Sequence, residues 1–207
     1  MKTIVWDVDD VLNNLMQAWL DSAWRPSHSG CVLPYEGCTE NPPHQLLGIS
    51  FEQYLHSLDA FRLSEEGRNL PPDENALAWF ARYGDQFRHV ALTATPLATA
   101  PCSAAWVVRH FGKWIRSFHF VPSTRPGQAL PVYDHTKAEF LVWFGRADLL
   151  VDDNPTNILE ADKCGVRTLL LPRPWNRGRG SVAEALESIP ALAQEKKSPS
   201  AWAESGP

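Results

Sequence analysis

Thr3-Ile4-Val5-Trp6-Asp7-Val8-Asp9-Asp10 decides the reading of the fold: four β-favouring residues run directly into three acids within four positions. A short run without polar alternation is the pattern of a strand covered on both faces, and such strands belong to parallel sheets flanked by helices. Asp7 and Asp9 are two apart, so an extended backbone points both the same way, with Asp9 just outside the strand. Polar groups at the carboxyl end of such a strand face the crevice where an open parallel sheet binds its ligands.

Working outward, His89 to Leu92, Ser117 to Val121, Leu149 to Val151 and Val166 to Leu171 read as further strands. Helical patterns at Pro101 to Phe111, Lys137 to Phe144 and Pro155 to Lys163 separate them. This alternation predicts an α/β protein built on a Rossmann-like parallel sheet. Upstream, Leu12 to Trp24, Phe51 to Leu58 and Asp73 to Tyr83 have helical spacing, whereas Arg25 to His44 is dense in Pro, Gly, Ser and Asn. Ser181 to Leu192 predicts a closing helix. Roughly 75 residues separate the first strand from the second, more than a βα unit needs, so a small, mainly helical cap is expected as an insert after the first strand. The expected division is a discontinuous core over 1–13 and 86–194, an inserted cap over 14–85 and a flexible tail over 195–207.

Composition excludes several classes. The 207 residues are 44% hydrophobic, with 19 basic and 24 acidic side chains and a formal charge of −5, which supports a real core. The basic surplus of a general nucleic-acid binder is missing, so nucleic acid is not an expected partner. Val90 to Val108 is uncharged but contains Pro96 and Pro101 with three Thr and one Ser, which fits a strand and helix better than a membrane span. Charges at Lys2, Asp7, Asp9 and Asp10 leave no apolar signal segment, so a cytoplasmic location is expected. Cys31, Cys38, Cys102 and Cys164 are too scattered for a disulfide framework and read as reduced thiols.

The strand ends supply the chemistry. Thr93-Ala94-Thr95-Pro96 follows the second strand and Asp152-Asp153-Asn154-Pro155 the fourth. Thr136, three residues ahead of Glu139, is a capping-box pattern that places Lys137 in the first turn of its helix. Asp7, Asp9, Asp152 and Asp153 gathered at one rim repel each other and require a cation. With no His or Cys in these segments, a hard divalent ion bound by oxygen, Mg²⁺, fits best. Four carboxylates carry four negative charges, and Mg²⁺ with Lys137 returns three, so a dianionic phosphate enters only if one acid, Asp9, holds a proton. Asp9 can give that proton to a leaving alkoxide and then take one from water. Asp7 is the expected nucleophile, forming an aspartyl-phosphate, while Lys137 and the Thr93–Ala94 segment hold the phosphoryl oxygens.

In this order the four segments resemble the motifs of the haloacid dehalogenase superfamily, over about residues 3 to 160. Asp7-Val8-Asp9-Asp10-Val11 matches the first motif, Thr93 the second, Lys137 the third and Asp152-Asp153 the fourth. The resemblance implies a Rossmann-like core, a cap inserted after the first motif, Mg²⁺ dependence and phosphomonoester hydrolysis. It also implies a metal held by the Asp7 carboxylate, the Asp9 main-chain carbonyl and Asp152, with Asp153 close by. Within the superfamily, the cap position, Leu92-Thr93-Ala94-Thr95-Pro96 and the paired Asp152-Asp153 resemble the 5'(3')-deoxyribonucleotidase-like group, which implies a nucleoside or deoxynucleoside monophosphate as substrate. That group commonly has Gly where this chain has Asp10.

Other residues carry competing readings. Asp10 reads as a turn residue or helix cap, and Asn154-Pro155 as an N-cap and first helical residue. His28, Cys31, Cys38 and His44 lack a Cys-x-x-Cys knuckle and read as an ordered loop rather than a zinc site. Trp19, Phe51 and Tyr54 offer a stacking face for a planar substrate, and Arg62 is a candidate substrate contact. Pro174-Trp175-Asn176-Arg177 follows the last strand and belongs near the same rim. Beside a phosphatase of small metabolites, two other functions fit: a non-catalytic metal-binding or regulatory module, and a phosphatase of polynucleotide or protein ends. The last favours an open, basic groove.

Overall fold

A computed structural model of the chain describes residues 1–195. The element order begins with β1 (Thr3–Trp6) and α1 (Leu15–Ala18), which continues through a π-helical stretch, Trp19–Trp24, into α2 (Arg25–Ser27). Then come α3 (Phe51–Leu63), α4 (Glu65–Arg68), α5 (Glu74–Tyr83), β2 (Arg88–Thr95), α6 (Ala100–Phe111) and β3 (Ile115–Pro122). The chain closes with α7 (Lys137–Phe144), β4 (Leu149–Asp152), α8 (Pro155–Lys163), β5 (Arg167–Leu170), α9 (Val182–Glu187) and α10 (Ile189–Gln194). The five strands form one parallel sheet in the order β3-β2-β1-β4-β5, the expected fold class. β1 is central, with Val5 between Val90 and Leu150, and all four of its residues are buried. The strand order reverses beside β1, which places its carboxyl end at the switch point of the sheet.

Each face of the sheet is sealed by a different cluster. Ile4, Trp6 and Ala91 pack with Ala76, Trp79 and Phe80 of α5, with α6 and with the C-terminal helices. Val5, Val90, Leu92 and Leu150 pack with Phe140 and Leu141 of α7 and Ala161 of α8. A third cluster, from Leu15 through Tyr54, Leu58 and Phe61 to Leu70, is formed within the segment between β1 and β2. Of the expected 14–85 insert, the part up to Leu70 therefore has an apolar core of its own, whereas α5 packs on the sheet. The expected tail over 195–207 lies outside the described residues except for Glu195.

Local chemistry explains the helix limits. α3 starts at a reciprocal Ser50–Gln53 capping box and runs past the expected Leu58, because Phe61 extends the buried stripe of Tyr54 and Leu58. It stops at Ser64, whose hydroxyl caps α4, a turn the sequence pattern did not mark. At α7, Thr136 Oγ1 accepts from Glu139 N, but the Glu139 carboxylate accepts from His135 N rather than Thr136 N, so only half of the expected box forms. The closing helix is two helices, because Pro190 cannot donate a backbone N–H and α10 restarts around it.

Behind the sheet, Trp6 Nε1–H donates to His89 Nδ1 at 3.0 Å, and His89 Nε2 faces the Gly84 carbonyl at 2.8 Å. A neutral ring with its proton on Nε2 satisfies both, whereas a second proton on Nδ1 would oppose the Trp6 donor. Burial accordingly pushes the imidazole below its ordinary 6.5. The unfolded chain takes up this proton near pH 6.5 and the folded chain only lower, so the stabilisation is complete above that pH. It is lost as pH falls through the window below it, by up to about 1.4 kcal/mol per pH unit. Because other buried groups titrate over the same range, the effect is read as a difference: in urea denaturation the stability of the wild type relative to His89→Gln is expected to fall between pH 7.5 and 5, and a difference that stays constant would assign no such role to His89.

Candidate active site

The ladder between β1 and β4 extends one residue beyond the strand, with Asp7 N donating to Val151 O at 2.9 Å, and this sets Asp7 beside Asp152. Lys137, in the first turn of α7, reaches between them: Nζ is 2.8 Å from Asp7 Oδ1 and 2.7 Å from Asp152 Oδ2. Carboxylate oxygens of Asp7, Asp152 and Asp153 lie within 4.8 Å of one another, and all three residues are buried. Thr93, also buried, and Ala94 line the same cavity from the end of β2. The structure thus brings Asp7, Lys137, Asp152, Asp153, Thr93 and Ala94 to one rim.

These carboxylates are individually anchored. Asp152 accepts from Asn154 N at 2.8 Å and from Asn157 Nδ2 at 3.1 Å on both oxygens. Asp153 Oδ2 accepts from Trp175 Nε1 at 2.8 Å, and Asn176 Nδ2 donates to the Asp153 carbonyl at 2.8 Å. Asn154 also caps α8 through Thr156 N, so the cap and the gathering of Asp152 and Asp153 at the rim are compatible. Of the segment after the last strand, Trp175 and Asn176 are the residues that reach the rim.

Burial dominates the electrostatics. It raises the Asp7 carboxyl well above its usual range, against the opposing attraction of Lys137, with Asp152 and Asp153 adding repulsion. Asp153 is pushed up to about 8, by burial first and by Asp152 second. Burial alone would lower the Lys137 ammonium, but Asp152 and Asp7 outweigh it and hold the lysine charged. Three buried acids with one shared lysine are undercompensated. Oxygen-only donors at this spacing suit a hard dication, which would relieve that excess.

Asp9 takes a different position from the one the charge count suggests. Its side chain leaves the acidic cluster: Oδ2 pairs with Arg62 Nη2 at 2.8 Å, and Oδ1 accepts from Asn13 Nδ2 at 3.4 Å. Arg62 belongs to α3, and its Nη1 also pairs with Asp59 at 3.1 Å. Arg125, in the loop after β3, grips Asp59 from the other side at 2.6 and 2.9 Å. The insert therefore brings a positive charge to Asp9, so charge balance for a phosphate dianion does not depend on an Asp9 proton alone.

Asp10 has φ 59°, a left-handed backbone that glycine adopts freely and other residues rarely do. Three bonds hold it there: Asn13 Oδ1 accepts from its N–H at 3.1 Å, its Oδ1 accepts from Met16 N at 3.0 Å, and Arg173 Nε donates to its carbonyl at 2.6 Å. It is thus a turn residue that also caps α1, and burial pushes its carboxyl up to about 7.

The cavity over Asp7 measures about 140 Å³. The sheet side presents the acids, Thr93, Ala94 and Lys137, and the insert side presents Leu15, Met16, Tyr54, Leu58 and Arg62. Of the expected aromatic stacking face, only Tyr54 lines the cavity. Trp19 is fully buried and packs edge-on against buried Tyr54, while Phe51 stacks on Tyr54 and does not line the cavity. His28 stacks on Trp24, His44 meets Phe51 edge-on, and Cys38 bonds the Pro34 carbonyl. Among the described residues these four form no metal-binding group.

Sequence reasoning missed Asn157, Arg173 and the Asp59–Arg125 pair. Asn157 carried a weak signal, a polar residue one turn into the helix after Asp152-Asp153. The others act across long sequence separations and leave no local pattern.

No family model and no curated protein matches this sequence. Solved structures do. A haloacid dehalogenase-like family hydrolase from Streptococcus pneumoniae aligns with a TM-score of 0.58 at 10% identity, covering 90% of this chain and 91% of that one. A hydrolase from Streptococcus pneumoniae TIGR4 also gives 0.58, at 12% identity over 92% and 100%. A predicted phosphoglycolate phosphatase from Haemophilus somnus gives 0.54 at 16% identity over 94% and 98%. At such identities the likeness is one of architecture, and what it establishes is that this chain has the haloacid dehalogenase-like α/β fold.

Proposed function

We propose that the protein is a Mg²⁺-dependent phosphohydrolase that transfers the phosphoryl group of a small phosphomonoester to Asp7 and then to water. The observation that carries this reading is the buried Asp7 carboxylate at the carboxyl end of the central strand, held by Lys137 against Asp152 at the floor of a cavity between the sheet and the insert. Asp7, Asp152 and Asp153, with the Asp9 carbonyl, would hold the ion, which when bound neutralises phosphoryl oxygens as charge builds on them.

The chain's own residues do the rest. An Asp7 carboxylate oxygen attacks phosphorus, the bond from phosphorus to the leaving oxygen breaks, and Asp9 supplies the proton that the leaving alkoxide takes up. Water then attacks the aspartyl-phosphate; Asp9 removes its proton, the Asp7–phosphorus bond breaks, and inorganic phosphate and the free carboxylate result. Lys137 balances charge on the nucleophile and on the transferred group, and the Thr93 hydroxyl offers a hydrogen bond to it. The insert-side wall excludes bulk water while the leaving group is present.

A cavity of about 140 Å³ between the sheet and the insert supports a small substrate over polynucleotide or protein ends. A panel of p-nitrophenyl phosphate, short phosphorylated acids and alcohols, sugar phosphates and nucleoside monophosphates, assayed with Mg²⁺ and with chelator, tests the reading. Turnover that requires Mg²⁺ is expected. Chelator-resistant turnover would refute the metal's role, and no turnover of any member would favour a non-catalytic module.

A further inference from the structure

We propose that Arg62 is a specificity-determining residue that selects substrates whose leaving group carries a carboxylate two or three bonds from the phosphoester oxygen. The inference rests on the phosphohydrolase reading, and on four observations about the guanidinium.

First, Arg62 is on the leaving-group side. Asp9, the proton carrier for the leaving oxygen, accepts from Arg62 Nη2 at 2.8 Å, so a substituent on that oxygen is directed toward the same guanidinium. Second, the guanidinium is half used. Nη1 is bonded to Asp59 and Nη2 to Asp9, but Nε has no partner. Nε and Nη2 form one edge of the fork, the edge that a carboxylate accepts from in parallel.

Third, the orientation is set in advance. Asp59 fixes Nη1 and is itself gripped by Nε and Nη2 of Arg125 at 2.6 and 2.9 Å, so Arg62 is steered from outside the cavity. Fourth, no other cation in the cavity lining faces the leaving group. Of the two cations lining the cavity, Lys137 sits between Asp7 and Asp152, and the insert-side wall is otherwise Leu15, Met16, Asn41, Tyr54 and Leu58. With Trp19 and Phe51 outside the lining and a cavity of about 140 Å³, below the ~300 Å³ at which clefts enclose larger ligands, a short carboxylate chain fits this wall better than a nucleoside.

The test is calorimetric binding to the full-length protein in Mg²⁺, using two non-hydrolysable probes: 3-phosphonopropionate, which carries the carboxylate, and butylphosphonate, a neutral chain of similar length. The wild-type protein is expected to prefer 3-phosphonopropionate by at least about 10-fold. Arg62→Gln is expected to reduce the preference to within about 2-fold, and Arg62→Lys to restore part of it. Thermal melts of both variants confirm that folded protein is being compared. Equal affinities in the wild type, failure of both probes to bind, or a preference that survives Arg62→Gln would each overturn the proposal. Hydrolysis of p-nitrophenyl phosphate by the wild type is measured in parallel. Its absence alongside an intact, Arg62-dependent preference would remove the phosphohydrolase reading and leave the carboxylate site standing.

Discussion

Asp7→Asn is expected to lower phosphomonoester turnover by at least about 10³-fold at saturating substrate and Mg²⁺, because it removes the attacking oxygen while preserving the shape of the side chain. The amide oxygen can still accept from Val8 N, as Asp7 Oδ1 does at 2.8 Å, and Lys137 keeps its pairing with Asp152 at 2.7 Å. Burial already disfavours the charged form of Asp7. In metal-free buffer near pH 7.5 the variant is therefore expected to melt no lower than the wild type, since it no longer carries that buried charge. The pairing of lost activity with unchanged or raised Tm separates a nucleophile from a structural residue. Steady-state kinetics and thermal melts on one preparation decide it, and a variant that keeps more than about a hundredth of wild-type turnover would exclude Asp7 as nucleophile.

Lys137→Met is expected to damage both stability and catalysis. The lysine side chain is 2% exposed, and Asp152, one of its two partners, is 0% exposed. Removing one side of a buried ion pair leaves the other charges without compensation, at a cost of about 3–5 kcal/mol. For a chain of this length that corresponds to a Tm lowered by about 10 °C in chelator. Methionine keeps the stem volume, so the loss reports charge rather than a cavity. Mg²⁺ is expected to raise the Tm of the variant more than that of the wild type, because the cation would then compensate acids that the lysine no longer covers. A Tm within about 2 °C of wild type in chelator would mean that Asp7 and Asp152 are compensated by other means.

Both predictions concern residues that were visible in the sequence, and the reason is that each marks the end of a regular element. Asp7 ends the β1 run, Asp152 ends β4, and Lys137 follows the Thr136 cap of α7. Short-range periodicity reveals strands and helices, and in a parallel sheet the carboxyl ends of strands converge by topology. Sequence reasoning also placed Asp10 in a turn, although its left-handed φ and its anchoring by Arg173 became clear only in three dimensions.

Asp9 marks the limit of that reasoning. Counting charges along the motifs required a proton on one acid, because the count had no means of including Arg62, 53 positions away on a helix of the insert. The same holds for the Trp175 indole on Asp153 and for Arg125 on Asp59, separated by 22 and 66 positions. None of these pairings is forced by local propensity; each arises from how the insert and the loops settle against the sheet. On its own, then, the amino-acid order determined the parallel α/β architecture and the acids and lysine at its rim, since hydrophobic period and capping act over a few residues. Only the tertiary packing decided which cation faces Asp9, which donors orient Asp152 and Asp153, and how closed the cavity is, because those depend on contacts between segments far apart in the chain.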